Sequence, residues 1–101
     1  MIFDRELRAK VKPQRDAIYG LLNYYLPKYD LLKIGDSEIC LRYSFGYGYT
    51  SVSLECDMYG DWQYVEVQDE AGRDNYRYST DLNLDYKSPA NDIVNALMKL
   101  L

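Results

Sequence analysis

The sequence has no histidine, only two cysteines and no long apolar run. The missing histidine removes the commonest general base, the commonest zinc ligand and the Ser-His and Cys-His nucleophile pairs. Cys40 and Cys56 do not make a disulfide framework. No apolar run approaches the ~20 residues of a membrane-spanning helix, and the charged stretch MIFDRELRAK is not a secretory signal. GYGY lacks the lysine and the following helix of a phosphate-binding loop. These absences predict a cytoplasmic protein that is not an enzyme and that binds no cofactor or metal.

Twelve tyrosines and an uneven charge are the main positive features of the 101 residues. Tyrosine covers the edges of cores while its hydroxyl reaches water, and it is also enriched at interfaces. Residues 1–34 carry a net charge of +3, residues 35–86 a net charge of −8 and residues 87–101 a net charge of +1, which sum to −4. The acid therefore lies in the middle of the chain, whose length suits one domain, residues 1–101.

The apolar spacing predicts an α+β fold: a five-stranded antiparallel meander sheet with an N-terminal and a C-terminal helix packed on one face. The first helix is expected over residues 2–26, and Pro13 either kinks it or starts a second helix. Ser88 as N-cap and Pro89 as first helical residue predict the last helix over 89–101. Strands are expected at about 29–34, 38–45, 50–59, 62–68 and 75–84.

Two-residue turns at Gly35-Asp36, Gly60-Asp61 and Ala71-Gly72 would give this sheet one apolar face and one polar face. Cys40 and Cys56 would then lie on opposite faces and should not bond. The two helices must cover the apolar face, because a one-sided apolar sheet needs a second layer. That inner face would hold Leu32, Ile34, Ile39, Leu41, Tyr43, Phe45, Val52, Leu54, Cys56, Met58, Val65, Val67, Tyr76, Tyr78 and Leu82.

The outer face of this predicted sheet combines carboxylates with aromatic rings. Glu55 would face Glu66, and like charges directly opposite destabilise by a few tenths to about 1 kcal/mol. Exposed Trp and Tyr can anchor a partner, while acids set charge complementarity. The alternative is an ordinary solvated sheet face, on which these side chains form cross-strand pairs only. The predicted partner-binding residues are Glu55, Asp57, Tyr59, Trp62, Tyr64, Glu66, Asp81 and Asp85.

An acidic face repels nucleic acid and attracts proteins with basic grooves, which commonly handle nucleic acid. Carboxylates can stand in for phosphates there, and aromatic rings for stacked bases. The profile is similar in kind, although not by residue motif, to phage-encoded inhibitors such as anti-CRISPR and anti-restriction proteins. The sequence therefore predicts a non-enzymatic inhibitor of a nucleic-acid-binding effector or nuclease. An immunity protein that neutralises a nuclease toxin would use the same electrostatics and stays open.

A basic stripe on the first helix favours another class of function. Arg5, Arg8, Lys12 and Arg15 fall within about 80° of one another on a helical wheel. The stripe could contact the phosphates of a nucleic acid. It could also contact the acidic sheet of a second copy, which leaves a homodimer open. The plainer alternative is a solvated helix face, and the negative total charge ranks direct nucleic-acid binding below the inhibitor.

Overall fold

The chain folds as a five-stranded antiparallel sheet with one helix before it and one after it, which confirms the predicted α+β meander. A computed structural model describes the backbone of residues 4–45, 48–70 and 74–101, and the side chains of residues 4–44, 51–66 and 78–101. The strands lie in the sheet in their chain order. The elements are α1 (Arg5–Tyr25), β1 (Asp30–Ile34), β2 (Glu38–Phe45), β3 (Gly48–Cys56), β4 (Asp61–Glu70), β5 (Asp74–Asp85) and α2 (Ala90–Leu100).

The first helix does not break at Pro13, which lies inside α1. The Asp4 carboxylate caps its start by accepting hydrogen bonds from the backbone N–H groups of Glu6 and Leu7, at 2.8 and 3.3 Å. Pro27 follows its C-terminal cap, as the steric restriction on the residue before a proline leads one to expect. Since Pro13 removes one helical hydrogen bond, the helix depends on its buried stripe. That stripe consists of Val11, Arg15, Ile18 and Leu22.

The last helix buries Ile93, Val94 and Leu97 and packs against α1. Pro89 is its N-cap residue and Ala90 its first helical residue, so the helix begins one residue later than predicted. The Ser88 hydroxyl does not cap the helix. It accepts a hydrogen bond from the Asp85 N–H at 3.0 Å and so closes the loop between β5 and α2.

The pairing of β2 with β3 keeps the predicted faces, although its register differs from the predicted one. Leu41 pairs with Val52 instead of Leu54. The shift of two residues is even, so each side chain stays on its predicted face. The core contains Ile39, Leu41, Val52, Leu54 and Cys56, all 3% exposed or less, as predicted. Cys40 lies on the other face, and both cysteines are free, as predicted.

The turn between β1 and β2 is one residue longer than predicted, and this reverses the faces of β1. Residues 35–37 form the turn, so Leu32 pairs with Cys40. Because the shift is odd, Leu32 and Ile34 face outward, with 62% and 41% of their surface exposed. Leu31 packs against the core in their place. The prediction that Leu32 and Ile34 belong to the inner face is wrong.

The turn between β3 and β4 is also longer, and it reverses the faces of β4. Cys56 pairs with Trp62 and Leu54 with Tyr64, with residues 57–61 between the strands. Trp62 and Tyr64 therefore point into the core, where they are 0% and 8% exposed.

Of the remaining residues predicted for the inner face in β3, β4 and β5, some lie there and others do not. Met58 was predicted inside but lies in the turn, 56% exposed, and Tyr78 is exposed to the same extent. Val65 is buried, but it pairs with Ser53 on the outer face and lies outside the core cluster. Leu82 packs against the core as predicted. The turn at residues 71–73 and the side chains of Phe45, Val67 and Tyr76 lie outside the described residues.

Trp62 links three parts of the fold. Its indole Nε1 donates a hydrogen bond to Gln14 Oε1 on α1 at 2.6 Å. The Gln14 Nε2 group donates in turn to the carbonyl oxygens of Asp85 and Ser88, at 3.1 and 2.5 Å. The ring thereby joins β4 to α1 and to the loop before α2.

Of the helices in the described part of the chain, none is long and apolar enough to cross a membrane.

Candidate partner-binding surface

The structure separates the eight predicted binding residues into two groups. Trp62 and Tyr64 lie in the core. Glu66 pairs with Val52 and Tyr78 on the helix side of the sheet, so it does not face Glu55 as predicted. The prediction that these three side chains lie on the outer face is wrong, because the longer turn shifts β4 by an odd number of residues. Glu55, Asp57, Tyr59, Asp81 and Asp85 lie on or beside the outer face.

The outer face nevertheless gathers carboxylates from four elements at one end. Glu38 of β2 lies directly opposite Glu55 of β3, and Glu55 lies opposite Gln63. Gln63 lies opposite Asp81, so these positions form one row across the sheet. The predicted binding residues did not include two members of the group, Glu38 and Asp61. We call the group the acidic patch: Glu38, Glu55, Asp57, Asp61, Asp81 and Asp85.

Asp57 fixes the turn that carries the exposed side chains of this end. Its Oδ1 atom accepts hydrogen bonds from the N–H groups of Tyr59 and Asp61, at 2.9 and 3.0 Å. Its Oδ2 atom accepts one from Gln63 Nε2 at 3.2 Å. Tyr59 and Met58 project from the turn with 77% and 56% of their surface exposed. The turn therefore holds one aromatic and one flexible apolar side chain beside the acids.

An irregularity in the sheet brings the other acids together. The pairing of β4 with β5 shifts between Asp61 and Gln63, which pair with Asp85 and Asp81. Within the two extra residues of β5, Asn83 has a positive φ of 57°, and its N–H donates to Asp81 Oδ1 at 2.7 Å. Asparagine tolerates this left-handed conformation better than most residues. Asp85 thus lies directly opposite Asp61, and Asp81 lies opposite Gln63, two residues further along β4.

Asp61 lies close enough to the other acids of the patch to be affected by their charges. Partial burial raises the pKa of its carboxyl group, and the negative charges of Asp57, Asp81 and Asp85 raise it further. A shallow pocket of about 300 Å³ opens beside it, lined by Asp61, Asp81, Asn83, Leu84, Asp85 and Ser88. The sequence predicted Asp61 as part of a two-residue turn. In the structure Asp61 is the first residue of β4, at the end of a longer turn.

The predicted basic stripe on α1 does not form one continuous surface. Arg15 is 3% exposed, and its Nη1 donates to the carbonyl oxygens of Gly35 and Glu38, at 2.8 and 3.3 Å. It therefore holds the β1–β2 turn against the helix. Lys12 Nζ lies 3.7 Å from an Asp16 carboxylate oxygen. Arg5 is exposed and Arg8 partly buried, which leaves a shorter basic surface than predicted.

The described residues include no group of three or more His, Cys, Asp or Glu side chains that could hold a metal ion. Comparison of the sequence with family models and curated proteins, and of the fold with solved structures, finds no match.

Proposed function

We propose that the protein is a non-enzymatic inhibitor that binds a basic, nucleic-acid-handling protein through the acidic patch. The observation that supports this is the gathering of like charges at one end of one face, where Asp61 lies directly opposite Asp85. Such pairs destabilise a sheet. A cationic partner bound to the patch would neutralise the repulsion between these two carboxylates.

The patch suits a groove that ordinarily holds nucleic acid. Carboxylates spaced along neighbouring strands, about 4.8 Å apart, present acceptors that arginine and lysine of the groove can bind in place of phosphates. Tyr59 stands beside them as the exposed ring that can stack where a base would lie. Trp62 and Tyr64 have no part in this contact, because both are buried. We place the protein in the cytoplasm, where such targets act.

The experiment is a tagged pull-down from a lysate of the source cells with three baits. The wild type is compared with Asp61→Asn/Asp81→Asn, which removes two charges from the patch. Glu6→Gln/Asp92→Asn removes two charges from exposed helix positions and is the matched control. We expect the wild type and the control to capture the same nucleic-acid-binding protein, and the patch variant to lose it.

Competition decides whether the captured protein is bound as proposed. Its own nucleic acid should displace the wild-type bait, because both occupy one basic groove. A nuclease toxin as the captured protein would make this chain an immunity protein. Capture of the same protein by all three baits, or capture that nucleic acid does not affect, would contradict the proposal.

A further inference from the structure

The β1 strand is an open edge of the sheet with an apolar outer surface. In the described part of the chain its one strand neighbour is β2, so the other side of β1 carries backbone groups without a strand partner. Leu32 and Ile34 point outward from it, 62% and 41% exposed. Two exposed aliphatic side chains at alternate positions of an edge strand are a surface that another strand can cover.

The edge is held in place before any partner binds. Lys33, on the inner side of β1, lies 3.1 Å from an Asp16 carboxylate oxygen of α1 and 4.8 Å from the centre of the Tyr19 ring. A groove of about 420 Å³ runs beside the edge on the outer face, lined by Asp30, Leu31, Leu32, Cys40, Arg42 and Ser51. A fixed edge lowers the ordering cost of strand addition.

The charge beside this edge selects the kind of strand. Ile34 begins the outer-face row that continues through Glu38, Glu55, Gln63 and Asp81, with three acids and no base. Arg42, the base that lines the groove, lies opposite Asp30 at the other end of β1. A strand added next to β1 places a side chain directly opposite Ile34, from which a lysine or arginine reaches toward Glu38. The β1 strand of a second copy would bring Asp30 to this face and no base, since Lys33 lies on the inner side. The edge therefore favours a basic strand over a second copy.

We propose that β1 binds an extended basic segment of the target protein by strand addition, with an apolar residue of that segment opposite Leu32 and a cationic one opposite Ile34. The inference rests on the proposed function for the existence of a basic target. It adds a second contact: backbone pairing at the edge supplies register, and the acidic row continues from this edge into the acidic patch.

The test uses a capped peptide, acetyl-Thr-Arg-Thr-Val-Thr-Arg-Thr-amide, and the purified protein labelled with ¹⁵N. The peptide is a palindrome, so it presents valine between two arginines to β1 in either direction. One control replaces valine by proline, which keeps the charge but removes a strand N–H. The other replaces both arginines by glutamate. We expect the arginine peptide to shift the backbone amide signals of β1, and both controls to bind at least about tenfold more weakly.

Two protein variants keep the test independent of one residue. Leu32→Lys and Ile34→Lys each place a charge on an exposed edge position, where the fold should tolerate it, and should weaken the arginine peptide at least about tenfold. Leu100→Lys changes an exposed leucine of α2 and should bind as the wild type does. No binding of the arginine peptide, equal binding of the proline peptide, or shifts confined to residues 57–61 would overturn the inference. Concentration-dependent shifts of β1 without peptide would also overturn it, by assigning the edge to a second copy.

The same variants separate this inference from the proposed function. If Leu32→Lys captures the target that Asp61→Asn/Asp81→Asn loses, the edge contact is wrong and the acidic patch stands. If the arginine peptide binds β1 but the patch variant captures the target fully, the proposed function is wrong and the edge contact stands.

Discussion

Replacing Trp62 by alanine should destabilise the domain severely, because the ring is fully buried and hydrogen-bonded. Truncating a buried tryptophan costs about 3–5 kcal/mol, out of a total of roughly 5–15 kcal/mol for a domain of ordinary stability. A loss of 1 kcal/mol lowers the melting temperature of a domain of this size by about 4–8 °C, so the expected drop is about 12–40 °C. Trp62→Phe keeps part of the ring but leaves Gln14 Oε1 without its donor, which adds roughly 1–3 kcal/mol to the lost packing.

The assay is thermal unfolding followed by circular dichroism, with Tyr59→Ala as the control. Tyr59 belongs to the neighbouring turn and is 77% exposed, so its removal should change stability by no more than about 0.5 kcal/mol. A Trp62→Ala protein that melts at the wild-type temperature would refute the burial of the ring and the longer β3–β4 turn that causes it.

Three further predictions concern the cysteines and two carboxylates. A disulfide reagent should modify the partly exposed Cys40 in the native protein and Cys56 only after unfolding, because burial raises the pKa of the Cys56 thiol to about 12. A hydrogen bond from Lys33 lowers the pKa of Asp16 below 3.8, so the ionised carboxylate stabilises the fold above that range. Denaturant titrations should show wild type more stable than Asp16→Asn at pH 7, with the difference shrinking as pH falls below about 4; an undiminished difference at acid pH would contradict this. The pKa of Asp61 is raised instead of lowered, so the ionised carboxylate destabilises the fold relative to the protonated form. The stability of the fold therefore falls as the pH rises and Asp61 ionises. Asp61→Asn should therefore raise the free energy of unfolding at pH 7, and a loss of stability would show that Asp61 holds the fold together.

The order of the elements could be predicted from the sequence because helical spacing, strand alternation and turn residues agree. The prediction of which side chains of β2 and β3 face the core was also right. The predicted register paired Leu41 with Leu54, and the true partner, Val52, is two residues away. Strand faces repeat every two residues, so an even error does no harm.

The faces of β1 and β4 could not be read from alternation alone. In the sequence of β4 both sets of alternate positions carry apolar residues: positions 62 and 64 in one set, and positions 65 and 67 in the other. The length of the preceding turn decides which of the two sets faces the core. The residues Gly60-Asp61 are typical of a two-residue turn, although the turn comprises residues 57–61. The size of Trp62 was the available signal, because a tryptophan is highly buried on average. Its partner Gln14 lies 48 residues away, which no local pattern reveals.

The acidic patch was predicted in part for the same reason. Asp81 and Asp85 were expected to contribute, but the bulge at Asn83 that brings them to Asp61 has no signature in the alternation. The predicted aromatic rings of β4, Trp62 and Tyr64, are buried. Of the three aromatic residues predicted to bind a partner, Tyr59 in the turn is the exposed one. Charge, which depends on composition, was predicted better than side-chain direction, which depends on register.

The most direct test of the acidic patch is the affinity of the purified protein for its captured target across a range of salt concentrations. The account predicts that binding weakens as salt rises, and that Asp61→Asn/Asp81→Asn binds more weakly with a smaller dependence on salt. Glu6→Gln/Asp92→Asn should follow the wild type. Equal affinity of all three proteins, or an affinity that salt does not change, would contradict the claim that the outer-face carboxylates form the binding surface.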